Sequence, residues 1–402
     1  MQYRIDERSG NKLSILGFGC MRFHRNLGVI DQRRVDKLVL DAVESGVNYF
    51  DTAYLYGGSE SALGAALNKQ NLRNKVYIAT KLPIANCNSK ADFDTYFNKQ
   101  LASLNTDYID YYLMHNINSL SQWEELCSLG IEKWISTQKT AGKIKQIGFS
   151  YHGARDEFKK VLDAYDWEFC QIQYNYTNEN YQAGIAGLKE AYARKLPVII
   201  MEPLLGGKLA TGLSLAAKAA FQKVNKDRSP AEWALLWLWN QPEVTVVLSG
   251  MNDQAQLDEN IKIADNANSG QLSSAEIGAY EDVLEIFKTT DKIPCTSCSY
   301  CMPCPQGVNI PSCFASYNAS YTHGRITSLA MYITSTAANR DDKSLASNCI
   351  GCGKCEQHCP QNIEIRNNLK NVSRRMEPFY FTLVMNIMRS HSKRSPKSQE
   401  QA

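Results

Sequence analysis

Eight cysteines in the C-terminal quarter of the chain form two closely spaced runs, each followed by a proline. The first run has two residues between successive members, which are Cys295, Cys298, Cys301 and Cys304. The second run ends with a three-residue spacer, and its members are Cys349, Cys352, Cys355 and Cys359. The second run matches the C-x2-C-x2-C-x3-C-P pattern of iron–sulfur proteins, because short spacers let soft thiolates converge on one cluster. The two runs predict one or two [4Fe–4S] clusters.

The cysteines can be assigned to clusters in more than one way. In an interleaved scheme, each run gives three ligands to one cluster and its fourth to the other. The first cluster would then be bound by Cys295, Cys298, Cys301 and Cys359. The second would be bound by Cys349, Cys352, Cys355 and Cys304. Alternatively, only the second run binds a cluster, since the last spacer of the first run is short. Zinc is a further alternative, because paired C-x2-C motifs also form zinc sites.

Four ionisable side chains elsewhere in the chain could together perform acid–base chemistry on a carbonyl group. They are Asp51, Tyr56, Lys81 and His115. A carbonyl that is reduced by hydride needs a proton at its oxygen, and a tyrosine supplies one only if its pKa falls from about 10. A neighbouring ammonium lowers the pKa of a phenol, a carboxylate holds the ammonium in place, and an imidazole orients the carbonyl oxygen.

These side chains follow predicted strands, which alternate with predicted helices over residues 1–285. The strand-like runs are Ser14–Met21, Val47–Thr52, Val76–Thr80, Tyr108–Met114, Ile144–Phe149, Phe169–Gln173, Pro197–Met201 and Val244–Leu248. One helix is indicated by apolar residues from Val35 to Val43, with Asp31 as its N-cap. Eight such repeats predict an α/β fold, a closed (β/α)8 TIM barrel, whose catalytic groups lie at the C-terminal ends of the strands. An open doubly wound sheet is the competing fold, but Gly17-Phe18-Gly19 is only a fragment of its glycine motif.

With these motifs, residues 1–285 resemble the aldo-keto reductase superfamily. The segment Phe50-Asp-Thr-Ala-x-x-Tyr56-Gly with Glu60, followed by Lys81 and His115 after successive strands, is similar to the catalytic tetrad region of that family. The resemblance implies that Tyr56 is the proton donor, that Lys81 and Asp51 tune it, and that His115 positions the substrate. It implies reduction of an aldehyde or ketone, or the reverse oxidation, with hydride from NADPH or NADH.

The same resemblance implies a set of nicotinamide-binding residues. They are Ser150, Gln171, Glu202, Leu204, Gly206, Glu259 and Asn260. Two departures stand out. Tyr151 occupies the position next to Ser150 where the family has asparagine, and Gly250 and Gln256 stand where basic residues would hold a 2′-phosphate. Because a phosphate dianion needs a fixed cation or several N–H donors, the preference between NADP and NAD stays open.

The predicted domains are a barrel at residues 1–287, a small, mainly helical ferredoxin-like module at 288–370, and an apolar segment with a basic, disordered tail at 371–402. The spacer between the cysteine runs reads as helix, which resembles helical ferredoxin modules. Cys313 lies outside the pattern and is predicted to be a small buried hydrophobe. The apolar stretch from Phe379 to Met388 is flanked by arginines and could contact an anionic membrane surface, although packing within the protein is the favoured interpretation.

Composition excludes several classes of protein. The chain has 402 residues, 44% hydrophobic and 21% charged, as expected of a globular protein. The net charge is +3, but residues 366–402 hold eight Lys or Arg against two Glu, so the remainder is slightly acidic and does not indicate nucleic-acid binding. No secretory signal and no apolar run long enough to span a membrane are seen. Together with the scattered remaining cysteines, this favours the cytoplasm.

The combination of motifs leaves three hypotheses open, because nicotinamide transfers two electrons as hydride whereas such clusters pass one at a time. In the first, the barrel reduces a small carbonyl substrate and the clusters are structural or sense redox state. In the second, the clusters connect the barrel to a redox partner, a flavoprotein or a ferredoxin. In the third, the barrel is catalytically silent and the protein is an electron carrier or an assembly component.

Overall fold

The structure is a computed structural model that describes residues 1–290, 292–322, 325–336 and 344–381. The chain divides into two compact units. The first comprises Met1–Thr211 and Asp227–Glu276, and the second comprises Gly212–Lys226 and the described residues from Ile277 onward. The division falls inside a long helix, so it does not coincide with the predicted boundary after residue 287.

The first unit is built on an eight-stranded parallel barrel. The strands are β1 (Tyr3–Ile5), β2 (Lys12–Ser14), β3 (Leu16–Gly19), β4 (Arg25–Asn26), β5 (Val29–Ile30), β6 (Tyr49–Asp51), β7 (Tyr77–Leu82), β8 (Ile109–Ile117), β9 (Ile144–Tyr151), β10 (Phe169–Gln173), β11 (Val198–Met201) and β12 (Val246–Ser249). Strands β3 and β6 to β12 pair in chain order, and β12 pairs with β3 to close the barrel. The short hairpins β1–β2 and β4–β5 lie outside it. The predicted barrel is thereby confirmed.

Helices follow most of the barrel strands. The helices are α1 (Gln32–Glu44), α2 (Ser59–Lys69), α3 (Lys90–Leu104), α4 (Leu120–Ser128), α5 (Ile131–Thr140), α6 (Arg155–Asp163), α7 (Gly184–Ala193), α8 (Lys208–Thr211), α9 (Leu215–Val224), α10 (Pro230–Trp239), α11 (Gln254–Asn266), α12 (Ser274–Thr290), α13 (Ile310–Thr322), α14 (Arg325–Thr336), α15 (Lys354–Gln357) and α16 (Ile365–Met376). The predicted cap of α1 is confirmed, because the Asp31 carboxylate accepts a hydrogen bond from the Arg34 amide.

The strands form because their residues are apolar on both faces, as a parallel sheet covered by helices requires. In β8, eight of the nine residues are buried. At one end the barrel is filled by large side chains, with Tyr111 stacked edge-on against Phe169 at a ring-centroid distance of 5.0 Å. This packed interior leaves the opposite, C-terminal strand ends to carry the polar groups.

Strands β7, β8, β9 and β12 extend beyond their predicted ends. Strand β7 includes Lys81 and continues to Leu82, and β8 continues past His115 to Ile117. Between Met114 and Ile117 the register of β8 against β9 shifts, because β8 contains one residue more than the facing strand. Asn116 in this bulge has a positive φ of 65°. A bulge of this kind redirects the side chains beside it, here His115.

The second unit is mainly helical, as the sequence predicts. Its apolar core includes Phe314 of α13, Ile333 of α14 and Leu369 of α16, together with the thiol of Cys313. The burial of Cys313 confirms its predicted role. Helix α16 runs across the predicted boundary at residues 370 and 371, and its later residues Val372 and Met376 are fully buried in the same core.

Residues 382–402, which include most of the predicted apolar segment and the basic tail, lie outside the described residues. Within the described ranges, no helix combines the length and hydrophobicity needed to cross a bilayer.

Candidate active site and cluster ligands

A buried ion pair joins the ends of strands β6 and β7. The Lys81 Nζ atom lies 2.7 Å from both carboxylate oxygens of Asp51 and 2.7 Å from the carbonyl oxygen of Thr52. Both charged side chains are buried, Lys81 at 1% and Asp51 at 3% exposure. Three acceptors satisfy the three ammonium protons, so the position of the ammonium is fixed.

Tyr56 lies over this ion pair, in the loop after β6. The centroid of its ring is 5.2 Å from the Lys81 Nζ atom. The ring also stands nearly perpendicular to that of His115, with centroids 6.1 Å apart and an interplanar angle of 86°. Tyr56 is half-buried, whereas Lys81 and His115 are buried, so it is the side chain of these three that solvent reaches most easily. The structure therefore brings all four predicted catalytic residues together.

The electrostatics of the site keep His115 neutral. Burial lowers its pKa well below the usual value, and the Lys81 ammonium and His152 lower it further. Among the described residues the His115 Nδ1 atom has no hydrogen-bond partner. Burial also raises the pKa of the Asp51 carboxyl, while Lys81 and Gln171 lower it in part. A neutral imidazole can donate one N–H to a substrate oxygen without adding a second charge beside Lys81.

A second layer of hydrogen bonds holds the strand that carries Lys81. Glu60 of α2 accepts hydrogen bonds from the Thr80 hydroxyl at 2.6 Å and the Gln100 amide at 2.8 Å. Gln100 also donates to the carbonyl oxygen of Lys81 at 3.0 Å and accepts from the Tyr112 hydroxyl at 2.7 Å. Because every member of this network is buried, its hydrogen bonds restrain the position of the Lys81 backbone.

Two of the predicted nicotinamide contacts lie beside the ion pair. Gln171 of β10 donates to Asp51 at 3.1 Å, and its buried carbonyl oxygen Oε1 has no partner among the described residues. Ser150 of β9 accepts a hydrogen bond from the Asn116 amide at 2.8 Å, which leaves its hydroxyl proton to donate. An unsatisfied buried acceptor next to a hydroxyl donor suits the amide group of a nicotinamide.

Tyr151, which replaces the asparagine of the family, is turned away from these groups. Its ring packs edge-on against Phe158 of α6 at 4.9 Å, and its hydroxyl donates to the carbonyl oxygen of Ala154. Adjacent strand residues point to opposite faces, so Ser150 faces the barrel interior while Tyr151 joins the helix layer. Tyr151 therefore does not take over the role of the missing amide.

The loop after β11 carries Glu202, Leu204 and Gly206 in an unusual backbone conformation. Glu202 and Gly206 both have positive φ, 55° and 66°. The buried Glu202 oxygen Oε2 is unpartnered within the described ranges, and burial raises the pKa of that carboxyl although Arg22 and the Gly206 amide lower it. Non-glycine residues at positive φ are costly and cluster at ligand-binding loops.

The remaining two predicted residues lie on α11, after β12. Asn260 is buried and donates to the Ser249 hydroxyl at 2.9 Å. Glu259 is exposed on the same helix. Asn260 thus has a defined place at a strand end, while Glu259 is accessible to a ligand.

Arg22 is a residue that the sequence reasoning missed. It ends a short 3₁₀ turn after β3, and its side chain passes along Gly250, where a Cβ atom would come within 3.3 Å of the Arg22 Cδ. One buried guanidinium nitrogen, Nη2, has no partner among the described residues. A cation from a residue more than 200 positions earlier therefore lies beside Gly250. Only the closure of β12 onto β3 brings the two together.

In the second unit, one cavity is lined by cysteines from both runs. They are Cys295, Cys298, Cys301 and Cys359. Apolar side chains, including Phe314 and Ile363, line the same cavity. Burial raises the pKa of Cys295 to about 11 and of Cys301 to about 12, and the neighbouring thiols add to each shift. Four cysteines that line one cavity fit an iron–sulfur cluster, whose iron would stabilise the ionised thiolates that burial disfavours.

The other cysteines form a second neighbourhood. Burial raises the pKa of Cys355 to about 11, and the nearby thiols of Cys349 and Cys304 raise it further. Cys352 is exposed. The spatial grouping follows the interleaved assignment, with Cys359 beside the first run and Cys304 beside the second. In the described ranges, no three His, Cys, Asp or Glu side chains converge on a single ion position.

Comparisons with known proteins agree with this organisation. Residues 15–285 match the model of the aldo/keto reductase family, and residues 294–364 match that of a 4Fe-4S dicluster domain. An uncharacterised oxidoreductase of Bacillus subtilis is 27% identical over 65% of this chain and 90% of its own. The L-galactose dehydrogenase of Arabidopsis thaliana is 26% identical over 72% of this chain and 96% of its own.

A solved aldo-keto reductase of Bacillus halodurans has the same barrel fold, with a TM-score of 0.58 at 23% identity over 70% of this chain and 96% of that one. The family match covers about two thirds of the chain, so the resemblance noted in the sequence is confirmed. The chain belongs to the aldo/keto reductase family, as an oxidoreductase that carries a 4Fe–4S domain after its barrel.

Proposed function

We propose that the barrel reduces an aldehyde or ketone to an alcohol, or catalyses the reverse, with a nicotinamide as hydride source. The observation that carries the proposal is the convergence of Tyr56, His115 and the Lys81–Asp51 pair at the C-terminal strand ends. These groups provide a proton donor, a neutral hydrogen-bond donor and a fixed positive charge within one small volume.

Each residue has a separate part in the reaction. The Tyr56 hydroxyl gives its proton to the carbonyl oxygen as negative charge develops there. The Lys81 ammonium stabilises the phenolate that remains, and Asp51 fixes the ammonium beneath the ring. His115 donates an N–H to the same oxygen and so orients the substrate. In the reverse direction, Tyr56 takes the proton back from the alcohol.

A reduced nicotinamide, when bound, supplies the hydride. Gln171 and Ser150 would hold its amide, as their unsatisfied acceptor and donor suggest. Glu202, Leu204, Gly206, Glu259 and Asn260 would hold the rest of the nucleotide. Arg22 would offer a cation to a phosphate group, which makes either NADPH or NADH acceptable.

The test is an anaerobic titration of the purified protein with NADPH and NADH, followed by assays with a panel of small aldehydes and ketones. The expected result is saturable binding of at least one nucleotide and turnover of some carbonyl compounds. If the protein bound neither NADPH nor NADH, the proposal would be overturned.

For the second unit we propose two [4Fe–4S] clusters with interleaved ligands, which would provide one-electron chemistry. The support is the mixed cavity of the first run with Cys359, and the proximity of Cys304 to Cys355. We place the domain from about residue 288 through the end of α16. Because eight cluster thiols must stay reduced, we place the protein in the cytoplasm.

A further inference from the structure

One open cavity of the second unit combines a cluster ligand with a row of cations. It is lined on one side by Cys349, Ile350 and Gly351, and on the other by Arg366, Lys370 and Arg374 of α16. At about 670 Å³ it is larger than the space inside the cysteine-lined cavity. The cations are spaced four residues apart, so they lie along one face of the helix.

The helix is strongly two-sided. Ile365, Leu369, Val372 and Met376 are buried in the core of the unit, whereas the three cations are exposed. Arg366 is ion-paired with Glu356 at 2.8 Å. Lys370 and Arg374 form no ion pair with a carboxylate of the described residues, so their charges are available to a partner protein.

An exposed apolar side chain lines the same cavity as these charges. Ile350 follows the proposed ligand Cys349 directly, and its side chain is 67% exposed. Cys352, in the same loop, is exposed as well. The second cluster would thus lie close to the protein surface, which one-electron exchange with another protein requires.

We propose that Ile350, Lys370 and Arg374 form a docking surface for an acidic one-electron carrier protein of the ferredoxin or flavodoxin kind. The inference rests on the proposed clusters. An exposed apolar side chain and unpaired cations around one cavity are complementary to the acidic surface of such a carrier, and opposite charges accelerate encounter. Small redox interfaces are transient and gain more rate than affinity from charge.

The electron balance is simple. The reduced carrier loses one electron at its iron or flavin centre, and the second cluster gains that electron. No bond is made or broken and no proton needs to move. The reductant is the carrier itself, so no further reactant is needed.

The chain's own C-terminal tail is an unsuitable occupant. Residues 382–402 carry four Lys or Arg and one Glu, so their net charge has the same sign as that of the docking surface. An anionic membrane would match the charge, but it would not explain why the exposed Ile350 adjoins a cluster ligand. Membrane binding is therefore an outcome for the experiment to exclude.

The experiment uses the full-length, iron-loaded protein under anaerobic conditions, with a plant-type [2Fe–2S] ferredoxin as the probe. Binding is measured by calorimetry and electron transfer by stopped-flow bleaching of the clusters, at low and high salt. Lys370→Glu and Arg374→Glu are compared with Lys133→Glu, a matched change on the exposed face of barrel helix α5.

We expect each change on α16 to slow electron transfer at low salt about tenfold or more and to weaken binding, with the difference shrinking at high salt. Lys133→Glu should behave as the wild type. Equal rates for all three variants would overturn the docking surface. Salt-sensitive binding to phosphatidylserine vesicles with no binding of ferredoxin would overturn it too. A protein without iron would instead overturn the proposed clusters, so the two failures are distinguishable.

Discussion

The Lys81 ammonium lies 5.2 Å from the centroid of the Tyr56 ring and donates hydrogen bonds to both carboxylate oxygens of Asp51. A positive charge is thus fixed beside a phenol that solvent can reach. Since a nearby ammonium favours the ionised phenol, this relationship supports the part proposed for Tyr56 as a proton donor.

Replacing Tyr56 by phenylalanine should remove the proton donor and leave the fold intact. We expect kcat/KM for carbonyl reduction to fall by about 10²- to 10⁴-fold, the usual contribution of general acid catalysis. Nucleotide affinity and iron content should be unchanged. Tyr54→Phe is the matched control, because Tyr54 lies in the same loop as Tyr56 but packs against Tyr96 of α3. This control variant should retain activity. Full turnover by Tyr56→Phe would rule out its assigned part.

Replacing Lys81 by methionine should leave a buried carboxylate without its cation. We expect the free energy of unfolding of the barrel to fall by about 3–5 kcal/mol. Urea titration can follow this through tryptophan fluorescence, since all six tryptophans lie in the first unit. The double variant Asp51→Asn/Lys81→Met should recover much of the loss. If the single variant were as stable as the wild type, the ion pair would not be a structural restraint.

Acid should destabilise the barrel through His152. Burial lowers its pKa to about 4, below the value of about 6.5 expected in the unfolded chain. The unfolded state therefore binds a proton first as the pH falls, and stability present above pH 6.5 is lost between about 6.5 and 4. Urea titrations at pH 7 and 5 should show a larger loss for the wild type than for His152→Gln. Equal losses would contradict this.

Iron counting can test the interleaved ligand assignment. Cys359→Ser and Cys304→Ser should each remove a ligand from a different cluster, and each variant should lose about half of its iron and sulfide. Cys313→Ser is the control, because that thiol is buried in the core and is not a predicted ligand. If only the second run bound a cluster, Cys359→Ser would lose all iron and Cys304→Ser none.

Arg22 should contribute to nucleotide binding. Removing one charged hydrogen bond to a phosphate typically costs about 1.5–3 kcal/mol, so Arg22→Gln should weaken binding by roughly ten- to a hundredfold. A loss for NADPH alone would assign Arg22 to the 2′-phosphate, and an equal loss for NADH would assign it to the pyrophosphate. Arg33→Gln, on the exposed face of α1, should bind as the wild type does. Unchanged affinity in Arg22→Gln would remove it from the site.

The barrel was predictable from sequence because its strands are short, buried runs at regular intervals. Phe169–Gln173 agrees with β10 at both ends. The ends of β7 and β8 were less predictable, because a strand continues as long as its neighbour offers hydrogen bonds. The bulge at His115 depends on the register between β8 and β9, and nothing local to His115 signals it.

The site residues differ in the same way. Asp51, Tyr56, Lys81 and His115 were found by their order and by the strands that precede them. Arg22 was missed because its place beside Gly250 depends on the closure of the barrel, which no local sequence pattern shows. For α16 the signal was present, since Val372 and Met376 continue the helical spacing of Leu369, but the basic composition of the tail obscured it.

The mixed cavity of Cys295, Cys298, Cys301 and Cys359 has a consequence for assembly of the holoprotein. Its ligands come from both ends of the module, so neither cluster could be completed until the intervening helices had folded back. Cofactor insertion and folding would then be linked, because each cluster ties the loop of one cysteine run to the end of the other run. Loading of either cluster would already close the module, so a molecule that holds one cluster would keep the helices folded back, whereas a molecule without iron would be largely open.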